Sequence, residues 1–400
     1  MVAAEQRVSP KRRARRRTPL LARLEQSRKI LEDAYARLTE AADSNVGVGP
    51  AGEWLLDNFH VIQEHIGEVR ESLPTGYYRE LPVLAAGPLA GYPRVYELAI
   101  TLISHTEGRI GLDNVTGFVT AFQQVTALTI GELWAIPAML RLGLIESVRR
   151  MALRTVQRLD EMVLADTAAA RIIAARAGTD GAIDAELDRF VSHPPLLTPI
   201  FISRFVQQLR QEAGGHPALL RLEHWIAEEA MSSQEASTRS TERMAITQVV
   251  MANSITSLRA VGRMEWRTFV ERESRIEKVL RDDPSGFYAG MTFATRDRYR
   301  HSVERIAKRT RLSEETVAQK AVECARSGLE QHPEDQRRAH VGYYLVDEGL
   351  ADLEGLAHYT PALGESVDRW VRRHPNVVFV GGILCATVAA LAAALWLGGP

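Results

Sequence analysis

The sequence predicts an all-α protein, with a multi-helix cytoplasmic body followed by one C-terminal transmembrane helix. Apolar residues recur at three- and four-residue steps through most of the 400 residues, which is the period of a helix with one buried face. Alternation of apolar and polar residues, which would indicate strands, is nearly absent, and aromatic residues make up only 6% of the chain. The last apolar stretch is long and uncharged, and therefore predicts a membrane span.

The chain begins with a basic segment, residues 1–17, which we expect to be a disordered tail. It has a local net charge of +6, although the whole chain has a net charge of −1. Such a tail suits an anionic surface, and we expect residues 7–17 to contact anionic lipid. The alternatives are a solvated tail without a fixed partner and, less favoured, contact with nucleic acid. The basic residues are Arg7, Lys11, Arg12, Arg13, Arg15, Arg16 and Arg17.

Two helical subdomains are predicted next, over residues 18–192 and 193–375, with a proline-rich joint in "SHPPLLTP". Leucines at helical spacing mark the first helix, and the turn residues of "SNVGVGPAG" end it. Further on, "LTIGELWAIPAMLRLGLIESVRR" is apolar around most of its surface, which predicts a helix buried all round in a core or against a partner. Pro137 is expected to kink this helix.

The predicted transmembrane helix covers residues 376–397, which contain no charged side chain. At 1.5 Å per residue, its length matches a hydrocarbon core of about 30 Å, so a lipid bilayer is an expected partner. The basic residues flank only its N-terminal end, which places the body in the cytoplasm by the positive-inside rule. The alternative is a buried core helix. The flanking residues are Arg369, Arg372 and Arg373, with Trp370 and Trp396 suited to the two interfaces.

Two patterns bear on metal and DNA binding, and for each the structural interpretation is favoured. Asp57, His60, Glu64 and His65 have the spacing of ligands on one helix face, but without the HExxH order they read as a polar face. Residues 303–322 resemble a helix-turn-helix, with Ala307 at the small inner position and Ser313 as the cap of the second helix. Acidic residues on that second helix disfavour DNA, so two packed helices are the expectation.

No catalytic, cofactor-binding or metal-binding residue is assigned from the sequence. No glycine-rich phosphate loop follows a strand, no GxSxG motif occurs, and cysteines and histidines are dispersed. The two cysteines, Cys324 and Cys385, lie in unlike surroundings and do not suggest an oxidising compartment. The sequence therefore predicts no catalytic domain in this chain.

The stretch "DDPSGFYAG" predicts a turn followed by two aromatic residues and an arginine-rich helix start. In the structural interpretation the aromatics pin the turn and the arginines pair with nearby carboxylates. In the functional interpretation this surface docks another domain, because arginine and tyrosine often anchor interfaces. The candidate docking residues are Phe287, Tyr288, Arg296 and Arg298.

Several stretches resemble the N-terminal region of bacterial cyclic β-1,2-glucan synthases, which are very large inner-membrane enzymes. The resemblance implies a cytoplasmic helical region that precedes membrane helices, a family 84 glycosyltransferase domain using UDP-glucose, and a family 94 phosphorylase-like domain. The family's known functional residues belong to those other domains, so none is assigned here. The stretches are "AGEWLLDNFHVIQEH", "LPVLAAGPLAGYPRVYELA", "LTIGELWAIPAMLRLGLIE", "DDPSGFYAGMTFATRDRYRHSVERIA" and "HVGYYLVDEGL".

Three functions follow as hypotheses. In the first, the chain is the non-catalytic N-terminal part of a truncated glucan synthase in the bacterial inner membrane, and it holds the missing glycosyltransferase domain in register. In the second, it is a complete tail-anchored helical adaptor. In the third, it is a membrane-tethered nucleic-acid binder, which would require binding by the basic tail that weakens steeply with salt.

Overall fold

The computed structural model describes most of the chain from residue 19 onward, together with Gln6 and Val8. The predicted basic tail otherwise lies outside the described residues, as do Arg369, Arg372, Arg373 and the side chain of Trp396. The described residues are 6, 8, 19–44, 46–176, 181–213, 220–222, 224–226, 234–362, 364–366, 370–371 and 374–397, without the side chains at 212–213, 234–241, 375, 382, 392 and 394–397.

The chain divides into two compact units, Met1–Glu273 and Ser274–Pro400. The first unit contains helices α1 to α11. In chain order they are Pro19–Asp43, Gly49–Asp57, Phe59–Ser72, Thr75–Glu80, Arg94–His105, Leu112–Gln123, Ile130–Arg176, Ala182–Ser192, Pro199–Ala213, Gln234–Arg263 and Trp266–Glu273. Outside these helices, β pairing in the described part of this unit is limited to isolated bridges at Val8–Leu84 and Val83–Pro93.

The first unit is built around α7, a helix of 47 residues that contacts α1, α3, α5, α9 and α10. Its N-terminal part is buried on almost every side, with Met139, Leu140 and Leu144 fully enclosed. The predicted all-round burial of this apolar segment is therefore confirmed. The helix runs on through Pro137 without ending there.

Two carboxylates of α7 are buried and bound by arginines from other segments. Glu132, fully buried, accepts hydrogen bonds from Arg94 Nε at 2.6 Å and Nη2 at 2.7 Å. Glu146 accepts from Arg23 Nη2 at 2.6 Å, and also from Arg149 and Ser27. Because an unpaired charge is costly in a core, these pairs tie α1 and α5 to the central helix.

The helices on both sides of the proline-rich joint share one apolar cluster. Phe190 of α8 stacks on Phe205 of α9 with ring centroids 4.9 Å apart, and Phe201 lies 5.3 Å from Phe205. Ala168 and Ile172 of α7 are buried in the same cluster. The division into compact units accordingly falls at 273/274, whereas the sequence placed a joint at 192/193.

The second unit contains helices α12 to α17 and two short 3-10 helices, Tyr288–Gly290 and Gln336–Ala339. Helix α14 contacts α12, α13, α15 and α16, so it is central to this unit. The helices are Arg275–Leu280, Phe293–Arg309, Glu314–Gln331, Val341–Val346, Leu350–Leu356 and Pro375–Leu397.

The chain is helical as predicted, but the predicted transmembrane helix over residues 376–397 is wrong. Although α17 occupies Pro375–Leu397, no helix in the described part of the chain is both long and apolar enough to cross a membrane. The positive-inside argument for a cytoplasmic body depended on that span.

Candidate functional site

The candidate site lies in the second unit, around the loop that joins α12 to α13. Gly286 has a φ of +71°, which favours glycine, and its N–H donates to the carbonyl of Asp283 at 2.9 Å. The chain then forms the short 3-10 turn Tyr288–Gly290 before α13 begins. Thr292 caps α13 by accepting a hydrogen bond from the Thr295 N–H. The predicted turn is confirmed.

A buried carboxylate, Glu277 of α12, holds this loop through hydrogen bonds and an ion pair. It is 1% exposed and accepts hydrogen bonds from Arg300 Nη1 at 2.6 Å and Tyr288 Oη at 2.8 Å. Arg281 Nε donates to it at 3.1 Å, and Arg296 Nε forms an ion pair at 3.4 Å. We call these five residues the Glu277 cluster.

Within this cluster, Arg300 has no exposed surface. Besides Glu277 it binds Asp297 at 3.1 Å, and its guanidinium lies 5.0 Å from the centroid of the Phe293 ring. Burial and the neighbouring charge of Glu277 raise the pKa of Tyr288 well above its usual range, so its hydroxyl stays protonated and donates to the carboxylate. The cluster therefore supports the loop through buried ion pairs and hydrogen bonds.

A second buried carboxylate, Asp283, ties the loop to the start of α15. Its Oδ2 lies 2.9 Å from His340 Nδ1, and its Oδ1 accepts the backbone N–H of Val341 at 2.9 Å. Ser285 Oγ donates to the same carboxylate at 2.5 Å. Although burial by itself would raise the pKa of Asp283, these hydrogen bonds lower it below its usual value.

Asp283, Ser285 and His340 are the residue types of a hydrolytic triad, but their geometry is different. In a triad the serine and the carboxylate bind opposite nitrogens of the imidazole. Here both Asp283 Oδ2 and Ser285 Oγ lie on Nδ1, at 2.9 and 3.2 Å, whereas Nε2 lies 3.3 Å from Tyr299 Oη. The arrangement fixes the loop and does not activate Ser285 as a nucleophile.

Next to Tyr299 and His340 lies a groove of about 520 Å³, which we call the Phe287 groove. Phe287 at its edge is 63% exposed, a large fraction for a phenylalanine, and Arg298 is also exposed. Phe287 and His340 also line a neighbouring cavity of about 450 Å³. The groove is lined by Phe287, Arg298, Tyr299, Gln336, Arg337, His340, Gly342, Tyr343, Val346 and Asp347.

The structure separates the four predicted docking residues into two pairs. Tyr288 is fully buried and Arg296 mostly so, and both belong to the Glu277 cluster. Phe287 and Arg298 face the groove. Tyr288 and Arg296 therefore have the geometry of the structural interpretation, whereas docking through Phe287 and Arg298 remains a prediction.

The other sequence candidates lie elsewhere. Asp57, His60 and Glu64 are exposed, but His65 is buried and its Nδ1 lies 2.9 Å from Glu68 and 3.3 Å from Arg141. Ser313 caps α14, as predicted, by accepting the Thr316 N–H at 3.1 Å. Trp370, predicted for a membrane interface, is exposed and stacks on His374.

Sequence reasoning missed Glu277, Asp283 and His340, which hold the site together. Asp283 and His340 each lie in a stretch quoted above, but 57 positions separate them and no spacing in the sequence pairs them. A weak signal exists for Glu277, because it lies on the same side of α12 as the apolar residues Ile276 and Leu280, which are buried. A carboxylate in that position requires a buried cation, and Arg300 supplies it.

Comparison with known proteins shows similarity to one synthase. Over 376 residues the chain is 28% identical to the cyclic β-(1,2)-glucan synthase NdvB of Rhizobium meliloti (strain 1021), a match that covers 92% of this chain. The predicted resemblance is confirmed, since the chain is related to the N-terminal region of that enzyme. The match spans only 13% of the length of NdvB. No family model matches the chain.

Proposed function

We propose that this chain is a non-catalytic helical region that supports β-1,2-glucan synthesis from UDP-glucose by other domains of a glucan synthase. The observation that carries the proposal is the similarity to NdvB, which extends over 92% of the chain. A relation along nearly the whole chain favours a shared role for the whole helical body over the reuse of one motif. UDP-glucose and the glucan would bind to the other domains.

The physical role proposed is to hold a glycosyltransferase domain of the same polypeptide in place. The Phe287 groove suits docking because two buried ionic clusters fix its base. An exposed aromatic ring and an exposed arginine on a fixed support lose little conformational entropy when a partner covers them. Phe287 and Arg298 are the proposed anchors.

The test uses a full-length glucan synthase that carries this region, with Phe287 and Arg298 both replaced by alanine. We expect incorporation of labelled glucose from UDP-glucose to fall at least tenfold while the protein level is unchanged, because each anchor is worth about 1–2 kcal/mol at an interface. The matched control replaces an exposed apolar and an exposed basic residue of α14 outside the groove, Leu329 and Arg326. Full activity of the Phe287/Arg298 variant would contradict docking at this groove.

Two contacts with a membrane are also proposed, one from the charge of the basic tail and one from the resemblance to glucan synthases. The basic residues 7–17 would attract anionic lipid, and the body would lie next to a bacterial inner membrane, as the resemblance implies.

A further inference from the structure

A second and larger groove, of about 890 Å³, lies in the first unit and plays no part in the proposed function. Its walls come from α2, the middle of α7, the segment that leads into α9, and the described part of α10. We call it the arginine groove. It is lined by Val48, Pro50, Ala51, Arg154, Thr155, Gln157, Arg158, Glu161, Leu196, Leu197, Thr198, Pro199, Ile200, Arg243, Met244, Ala245, Thr247 and Gln248.

The lining carries an excess of positive charge. Arg154, Arg158 and Arg243 face it together with one carboxylate, Glu161, which leaves a net of two positive charges. Glu161 is already bound by neutral donors, since Thr198 Oγ1 donates to it at 2.8 Å and Gln157 Nε2 at 3.2 Å. In the part of the chain that the structure describes, none of the three arginines forms an ion pair with a carboxylate.

Arg158 is the most constrained of the three. Its Nε is buried and, within the described residues, has no hydrogen-bond partner. Its guanidinium lies directly over Gly49, where a Cβ would overlap Nη1, and Gly49 itself has a φ of +69°. The absence of a side chain at Gly49 thus leaves room for the half-buried Arg158 guanidinium at the groove, and no described carboxylate neutralises its charge. The described residues therefore leave a positive charge and one buried donor at the groove, and an anion would satisfy both.

The groove is also lined by apolar side chains. Leu196 is 81% exposed and Met244 38% exposed, and Pro199 and Ile200 continue the same surface. A small inorganic anion would leave these apolar side chains in water. The groove therefore fits a molecule that combines a strongly anionic group with a less polar body.

We infer that the arginine groove binds a ligand that carries a dianionic phosphate or diphosphate group. Two uncompensated positive charges match a dianion, and the planar guanidinium groups of Arg158 and Arg243 can each donate two parallel hydrogen bonds to phosphate oxygens. The same chemistry occurs in soluble diphosphates and in the phosphomonoester headgroup of phosphatidic acid. The inference does not rest on the proposed role in glucan synthesis.

The first arm of the test titrates the purified chain with pyrophosphate at low ionic strength by isothermal titration calorimetry. Saturable binding is expected, together with a Kd that rises with added salt. Arg158→Gln and Arg243→Gln should each weaken it about tenfold, since each removes a charge-assisted bidentate contact. Arg158→Lys keeps the positive charge but loses the two parallel N–H donors of the guanidinium, so it should also weaken binding. The matched control is Arg150→Gln, on the same helix and exposed but outside the lining, which should leave the Kd unchanged.

The second arm measures co-sedimentation with vesicles that contain phosphatidic acid, with phosphatidylcholine vesicles as reference. If Arg158→Gln reduces vesicle binding and pyrophosphate alone binds poorly, the lipid headgroup is the source of the phosphate. If pyrophosphate binds and vesicles do not, the ligand is soluble. Thermal melting of each variant checks that it is folded. Absence of binding in both arms, or binding that Arg158→Gln and Arg243→Gln leave unchanged, would overturn the inference.

Discussion

Replacing Glu277 by Gln tests whether the site rests on its buried ion pair. The carboxylate is 1% exposed and its partner Arg300 has no exposed surface, so the substitution leaves a buried guanidinium with only Asp297 as counter-charge. Breaking a buried pair on one side typically costs 3–5 kcal/mol. Because glutamine still accepts a hydrogen bond and Asp297 remains, we expect the lower end of that range, about 3 kcal/mol.

Hydrogen exchange of the whole chain, followed by mass spectrometry, measures the loss of stability separately in α12 and α13. A loss of about 3 kcal/mol corresponds to exchange that is on the order of a hundredfold faster in peptides from α12 and α13. Arg298→Ala is the control, because an exposed side chain should change stability by less than about 0.5 kcal/mol. Exchange in Glu277→Gln that matches the control would refute the reasoning that this pair supports the loop.

Three further predictions concern single side chains. Arg296→Ala should lower the free energy of unfolding by about 1–2 kcal/mol in urea titrations, because the guanidinium binds both Glu277 and the Met291 carbonyl; a stability equal to that of Arg298→Ala would contradict this. Gly342→Ala should lower the melting temperature, since its Cβ would overlap Tyr299 and His340; an unchanged melting temperature would argue against that packing. Although burial alone would raise the pKa of Glu146, hydrogen bonds from Arg149 and Arg23 lower it to about 2. Above pH 5, the free energy of unfolding of the chain should therefore exceed that of Glu146→Gln by about 3 kcal/mol, and this difference should disappear as the pH falls towards 2. A difference in the free energy of unfolding that does not depend on pH would contradict this prediction.

Much of the helical fold was predictable because it follows from local patterns. Leucines at helical spacing marked α1, the continuous apolar stretch marked the buried part of α7, and Ser313 marked the start of α14. Each signal involves residues within a few turns of one another, where sequence spacing translates directly into a shared face.

The buried charges were not predictable, because they are satisfied by distant partners. Arg94 and Glu132 are 38 positions apart, and Asp283 and His340 are 57 apart. Seen from the sequence, each is an ordinary charged residue on a helix or loop. The adjacent aromatics Phe287 and Tyr288 show the same limit. Tyr288 is buried and donates to the distant Glu277, whereas Phe287 is exposed, and the sequence does not distinguish the two.

The transmembrane prediction failed for a different reason. An uncharged stretch with arginines on one flank satisfied the length and orientation rules for residues 376–397. Those rules use only the composition and length of a stretch, and among the described residues no helix is both long and apolar enough to cross a membrane.

The most direct test of the account is an incorporation assay with the purified chain alone. The chain is incubated with labelled UDP-glucose, and the label in polymer and in free glucose is compared with that of a heat-treated sample. If this region supports glucan synthesis without catalysing it, the two samples give the same result. Transfer or release of glucose above the heat-treated level would contradict the central claim.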